Sequence, residues 1–168
     1  MVGRRGLTRD VLLEAFADCG VSNARSFLAT GNVAFTSDGP ASQLSRTLAL
    51  AIAGVTEINE PVFIRSVSEL ERLHAGDPFA LAPPGGFHER CVTFLQSSPR
   101  SKPALPIRSQ RGDVEIFSIS SRNAFSVTRL VGGRPGQPGR ILERRLDLPV
   151  TTRNWNTVER ILCALEQA

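Results

Sequence analysis

Apolar residues at Leu7, Val11, Leu12, Phe16 and Cys19 recur at helical spacing and predict an amphipathic helix over residues 8–19. Thr8 suits its N-cap, Asp10 its first turn and Gly20 its C-terminal stop. Two extended runs follow, 25–29 and 33–36, and Thr30-Gly31-Asn32 between them has the residue types of a tight hairpin turn. After Ser37-Asp38-Gly39-Pro40, the residues Leu44, Leu48, Ile52 and Val55 share one face of a second helix. Pro61 to Arg65 reads as a strand, and Ser66-Val67-Ser68-Glu69 as a capping box. The helix it opens ends near Gly76-Asp77-Pro78.

The second half repeats the theme loosely. Residues 90–95 predict a strand, whereas Pro99, Pro103 and Pro106 exclude an unbroken helix between 97 and 111. Residues 114–119 and 124–130 alternate as paired strands. A loop is expected over Gly132 to Gly139, a short helix over 141–146 and a last strand over 149–153. Asn156-Thr157-Val158-Glu159 reads as a second capping box, before a helix striped by Val158, Ile161, Leu162 and Leu165.

Up to residue 65 the order is helix, strand, strand, helix, strand, which is a βαββαβ plait without its first strand. That strand is interior in the plait, so its loss exposes the edges of both neighbours. The expected fold is therefore α+β: two fused ferredoxin-like subdomains, 1–84 and 85–168, divided near Pro83-Pro84-Gly85-Gly86.

Composition narrows the class. A chain that is 41% hydrophobic and 21% charged has the balance of a folded protein. It contains no apolar run of the roughly 20 residues that span a bilayer, and no apolar stretch follows Arg4-Arg5, as a secretory signal requires. Cys19, Cys91 and Cys163 are far apart and odd in number, which argues for reduced thiols and a cytoplasmic setting rather than a disulfide framework. Charge divides unevenly. Residues 1–84 hold seven arginines against nine acids, net −2, and residues 85–168 hold thirteen bases against seven acids, net +6. A basic half attracts polyanions such as nucleic acid or phosphorylated metabolites, and a solvated surface without a partner accounts for the same excess. All but Lys102 of the 20 basic residues are arginine, a bias that a GC-rich genome explains as well as anion recognition does.

Two segments carry a resemblance. Ser26-Phe27-Leu28-Ala29-Thr30-Gly31-Asn32-Val33-Ala34-Phe35-Thr36-Ser37 and Thr151-Thr152-Arg153-Asn154-Trp155-Asn156-Thr157-Val158, with Asp77-Pro78-Phe79 between them, resemble the bacterial domain-of-unknown-function family 1697. The likeness spans nearly the whole chain. It implies paired ferredoxin-like subdomains in a cytosolic protein, and no established activity, cofactor or substrate. Members of that family usually begin with an apolar strand leading into an Arg-Gly-Ile-Asn-Val-Gly-Gly-like segment. Only Val2-Gly3-Arg4 matches its end here, so a start placed about ten residues late, one strand and its turn, is expected.

Chemistry concentrates in one place. Arg153, Asn154, Trp155, Asn156 and Thr157 bring a cation, two amides, an indole and a hydroxyl to the mouth of a helix. There they could grip an anion and stack a planar group. A structural account is equally complete: Asn156 caps the helix, Trp155 fills a seam and Arg153 pairs with an acid. Gly31 and Asn32 could join such a site, although hairpin-turn chemistry explains both. The Gly132–Gly139 stretch has no following Lys-Ser or Lys-Thr, and two prolines remove backbone donors, so it is a connection rather than a phosphate loop. Arg134, Arg140, Arg144 and Arg145 surround it. His74 and His88 have no second ligand at helical spacing, no nucleophile elbow occurs, and Cys91 has no adjacent base, so neither metal nor catalytic residues are assigned.

The expected function is a non-catalytic binding module, without a cofactor, for nucleic acid or an anionic small molecule such as a nucleotide-like metabolite. The alternatives are a small-molecule enzyme using the Arg153–Thr157 segment and a self-associating protein, a homodimer whose sheet edges pair. No membrane partner is expected.

Overall fold

The computed structural model describes residues 6–27 and 31–167, and helices and antiparallel sheets make the chain an α+β protein. It divides into two compact units, Met1–Ile64 and Arg65–Ala168.

In the first unit, helix α1 spans Arg9–Asp18, and the Thr8 hydroxyl caps it by accepting from the Val11 N–H at 3.2 Å. Strands β1 (Ser22–Phe27) and β2 (Asn32–Thr36) pair antiparallel, with a bulge between Ser22 and Arg25 where Asn23 has a positive φ of 54°. Helix α2 (Ala41–Val55) buries Leu44, Leu48 and Ile52. These meet Leu7, Leu12, Ala15, Phe16 and Val21 in one core, and the Phe16 ring lies edge-on to Phe35 at 5.4 Å. The strand expected over residues 61–65 does not form. Pro61 brings no donor, and the Val62 carbonyl accepts from the Ser45 hydroxyl of α2 instead of from a neighbouring strand. Val62 and Ile64 still pack against the core.

The second unit begins with an anchor. The Arg65 guanidinium donates to the Leu95 carbonyl at 2.9 Å and the Arg122 carbonyl at 2.8 Å, and lies 5.0 Å over the Phe94 ring. Helix α3 (Val67–Ala75) follows, its N-terminus capped by Ser66, which accepts from the Glu69 N–H at 3.1 Å. The Glu69 carboxylate pairs with Arg65 at 3.5 Å and Arg122 at 3.2 Å. These bonds place α3 with the second unit, so the dividing line falls at Ile64–Arg65, ahead of the Pro83–Gly86 turn.

Five antiparallel strands form its sheet: β3 (Glu89–Leu95), β4 (Ile107–Arg108), β5 (Val114–Ile119), β6 (Asn123–Thr128) and, after two short strands, β9 (Val150–Asn154). They lie in the order β4-β5-β6-β3-β9. The segment between β3 and β4 is free of helix, as its prolines require. The short strands β7 (Leu130–Val131) and β8 (Arg134–Pro135) form a hairpin inside the expected loop. Gly132 and Gly133 turn it with φ of 60° and 72°, values that a two-residue turn of this hand demands. Helix α4 (Pro138–Leu146) starts earlier than expected because Pro138 suits the first helical position. On the sheet face under α4, Leu95, Ile107, Val114, Ile116, Ile119 and Ala124 enclose Leu142. Helix α5 (Trp155–Glu166) closes the unit, burying Trp155, Val158 and Leu162.

Candidate functional site

Strand β9 runs directly into α5, so the polar segment sits where an edge strand becomes a helix. Pairing with β3 sets Arg153 opposite Val92 and Asn154 opposite Cys91. Asn154 is the cap: its Oδ1 accepts from the Asn156 N–H at 3.0 Å, and its Nδ2 donates to Glu89 at 3.2 Å. The cap expected at Asn156 is thus two residues too late, and Glu159 does not return to the cap as a capping box would have it. It pairs with Arg90 at 3.6 Å.

Trp155 is 1% exposed. Its indole lies 5.7 Å from the Phe79 ring, 5.9 Å from Phe125 and 6.3 Å from His74, a tilted, an edge-on and a stacked contact. Phe79 in turn meets Phe117 and carries the Arg90 guanidinium 5.4 Å above it. A planar ligand would reach Trp155 only after α5 or Phe79 moved. Arg153 is mostly shielded: its Nη1 donates to the Thr151 hydroxyl at 2.8 Å and the Thr152 carbonyl at 3.0 Å, and burial lowers its pKa. Asn156 is exposed and accepts from Arg90 at 3.3 Å, and Thr157 is half-buried. Solvent therefore meets this segment chiefly at Asn156, beside Arg90, with Arg153, Asn154 and Thr157 half-buried around it.

Gly31 and Asn32 belong to the first unit. Gly31 has a φ of 73°, and the Asn32 amide donates to the Phe27 carbonyl at 3.5 Å across the β1–β2 hairpin, whose residues 28–30 lie outside the described residues. Arg153–Thr157 belong together in the second unit.

Sequence reading passed over Arg90, Glu89 and Arg65. Glu89 and Arg90 begin β3 and Arg65 precedes the cap of α3, each with partners 30 or more positions away, as for Arg65 and Leu95 or Arg90 and Asn156, and no local periodicity marks such a pair. A groove of about 370 Å³ between α3 and α5 is lined by Glu71, His74, Glu159, Leu162, Cys163 and Glu166. Its three carboxylates oppose an anionic ligand. Among the described residues no group of three or more His, Cys, Asp or Glu could hold a metal ion, and no helix is long and apolar enough to cross a membrane.

Comparison with known families decides the membership. A family model described as Protein of unknown function (DUF1697) matches residues 1–125. The chain belongs to this family. The DUF1697 match takes in the Ser26–Ser37 segment and ends before Thr151–Val158, so the β9–α5 junction lies outside the part that establishes membership. No curated protein and no solved structure matches the chain.

Proposed function

We propose that this DUF1697 protein is a non-catalytic binding module for an anionic ligand, either nucleic acid or a nucleotide-like metabolite. The observation that carries the reading is where the basic excess of the second half lies. Arg108, Arg111, Arg122 and Arg129 are taken up by Glu115, Asp113 and Glu69. Arg134, Arg140, Arg144 and Arg145 are exposed and make no ion pair among the described residues. Uncompensated arginines at a surface concentrate anions, and guanidinium matches phosphate in a bidentate manner. Arg153, Asn154, Trp155, Asn156 and Thr157 are the second place to test, and Gly31 and Asn32 of the first unit a separate one. In the Arg153–Thr157 segment Asn156, already bonded to Arg90, is the group nearest solvent.

A plait ancestry fits the same reading, since such sheets host many binders by fold-level analogy. The antiparallel order β5-β6-β3-β9, with α4 joining β6 to β9, supports a ferredoxin-like second unit whose first crossover helix is replaced by the proline-rich segment. The test is titration of the full chain with nucleotides and short oligonucleotides at low and at high salt. Affinity that falls steeply with salt supports nucleic acid, equal affinity at both removes it, and no binding to any of these anions overturns the reading.

A further inference from the structure

We infer that the β7–β8 hairpin and α4 form a docking face for the phosphate backbone of double-stranded nucleic acid, read without regard to sequence. The inference rests on the anion-binding reading and gives it a location.

The stability of the fold does not explain the charge pattern of α4. Pro138 and Leu142 are buried, and Arg140, Arg144 and Arg145 are exposed. Arg144 and Arg145 stand in the last turn, where the helix dipole welcomes cations. Arg140 stands in the first turn, at the positive end, with no acidic residue there to offset it. It is also four residues from Arg144, a spacing that sets two like charges side by side. The end it occupies lacks a side-chain cap, because Gln137 makes no capping hydrogen bond. Glu143, three residues on, offsets part of this repulsion and makes no ion pair with Arg140 among the described residues, so the Arg140 guanidinium stays available to a row of phosphates, which has the required charge.

The hairpin extends this face and is held in place. Arg134 is exposed at its far strand, and the Arg111 Nη2 donates to the Val131 carbonyl at 2.8 Å. The Arg129 N–H donates to the Asp113 carbonyl at 2.9 Å. Gly136, between hairpin and helix, is pressed so closely on Val114 and the Asp113 carbonyl that a Cβ there would overlap both. Arg134 is thus presented on a connection pinned to the sheet at both ends, and Arg140, Arg144 and Arg145 on the helix that follows it, none of the four with an ion pair among the described residues.

Chemistry selects the occupant. Between Phe125 and Trp155 the sequence holds no aromatic residue, so the face lacks the stacking platform that single strands use. The apolar side of α4 is committed to Leu95, Val114 and Ile116, which leaves only Leu130 and Val131 of the hairpin as exposed apolar groups of the face, too few for the apolar stripe that lies in a lipid surface. What remains are exposed guanidinium groups, Arg140 and Arg144 one turn apart on one side of α4 and Arg145 nearer its buried stripe, suited to a regular, externally charged polymer.

The experiment is fluorescence anisotropy of a labelled 20-base-pair duplex with the full chain, across a salt series. Four phosphate contacts predict a slope of log K against log salt of about −3.6, and Arg140→Gln and Arg144→Gln are each expected to flatten it by about 0.9. Both side chains are exposed, and unchanged Trp155 emission verifies that the variants fold. Unaltered affinity and slope in Arg140→Gln/Arg144→Gln would overturn the location. If Asn156→Ala loses duplex binding in that case, anion binding stands and moves to the β9–α5 junction. Tighter binding to single strands, or to phosphatidylserine vesicles without duplex binding, refutes the assignment of the occupant. Silence toward all of these anions at low salt defeats the parent reading as well.

Discussion

Asn154 joins the start of α5 to β3: its carbonyl oxygen accepts from the Asn156 N–H at 3.0 Å while its amide donates to Glu89 at 3.2 Å. One side chain thus satisfies a helix-end donor and an acid on the neighbouring strand. Asn154→Ala removes both bonds and is expected to cost about 1–2 kcal/mol. Asn156→Ala loses only an exposed contact to Arg90 and is expected to stay within about 0.5 kcal/mol. Urea unfolding followed by Trp155 emission measures both. Equal losses would mean that Asn154 is not the cap.

Trp155 is the only tryptophan of a chain without tyrosine, so its emission reports the core of the second unit alone. Buried among Phe79, Phe125 and His74, it is expected to emit in the blue and to resist acrylamide. Trp155→Ala should cost about 3–5 kcal/mol. Red-shifted emission that acrylamide quenches freely would show instead an indole open to solvent and able to stack on a ligand.

The three thiols are expected to react in order of exposure. Cys163 is exposed, Cys19 is half-buried with its pKa raised by burial and Asp18, and Cys91 is buried. Burial, aided by Glu89, pushes the Cys91 pKa up to about 12. The unfolded thiol ionises near pH 9 and the folded one does not, so its contribution to stability is intact below about pH 9. It is lost as pH rises toward 12, by at most about 1.4 kcal/mol per pH unit. Cys91→Ala should flatten stability over that window, and thiol titration should label Cys91 only on unfolding. Fast labelling of Cys91 in the native protein would contradict its burial.

Ser126 and Thr128 lie on β6 with their hydroxyls fully buried and, among the described residues, without a hydrogen-bond partner. An orphan hydroxyl costs desolvation that nothing returns. Thr128→Val keeps the shape and removes that cost, so a gain of about 1 kcal/mol is expected from urea unfolding. A loss of that size would reveal a partner for the hydroxyl.

Much of the fold was legible from short-range pattern. Leu44, Leu48 and Ile52 share a helix face whatever surrounds them, and Thr8 and Ser66 cap helices because each lies three residues before the N–H it meets. Proline geometry kept helix out of residues 97–106, and the Gly-Gly pair allowed the turn at 132 and 133. Tertiary packing decided the rest. Asn154 took the cap from Asn156 because β9 pairing brings it opposite Cys91, within reach of Glu89. Pro61–Arg65 stayed out of the sheet because Ser45 claims its carbonyl and Arg65 bonds to residues 30 and 57 positions onward. Composition left Trp155 and Arg153 open to a ligand-facing or a structural role, and packing buries Trp155 and bonds Arg153 to the Thr151 hydroxyl and the Thr152 carbonyl. Local sequence encodes spacing and turn chemistry, whereas which face of a strand is covered depends on segments far along the chain.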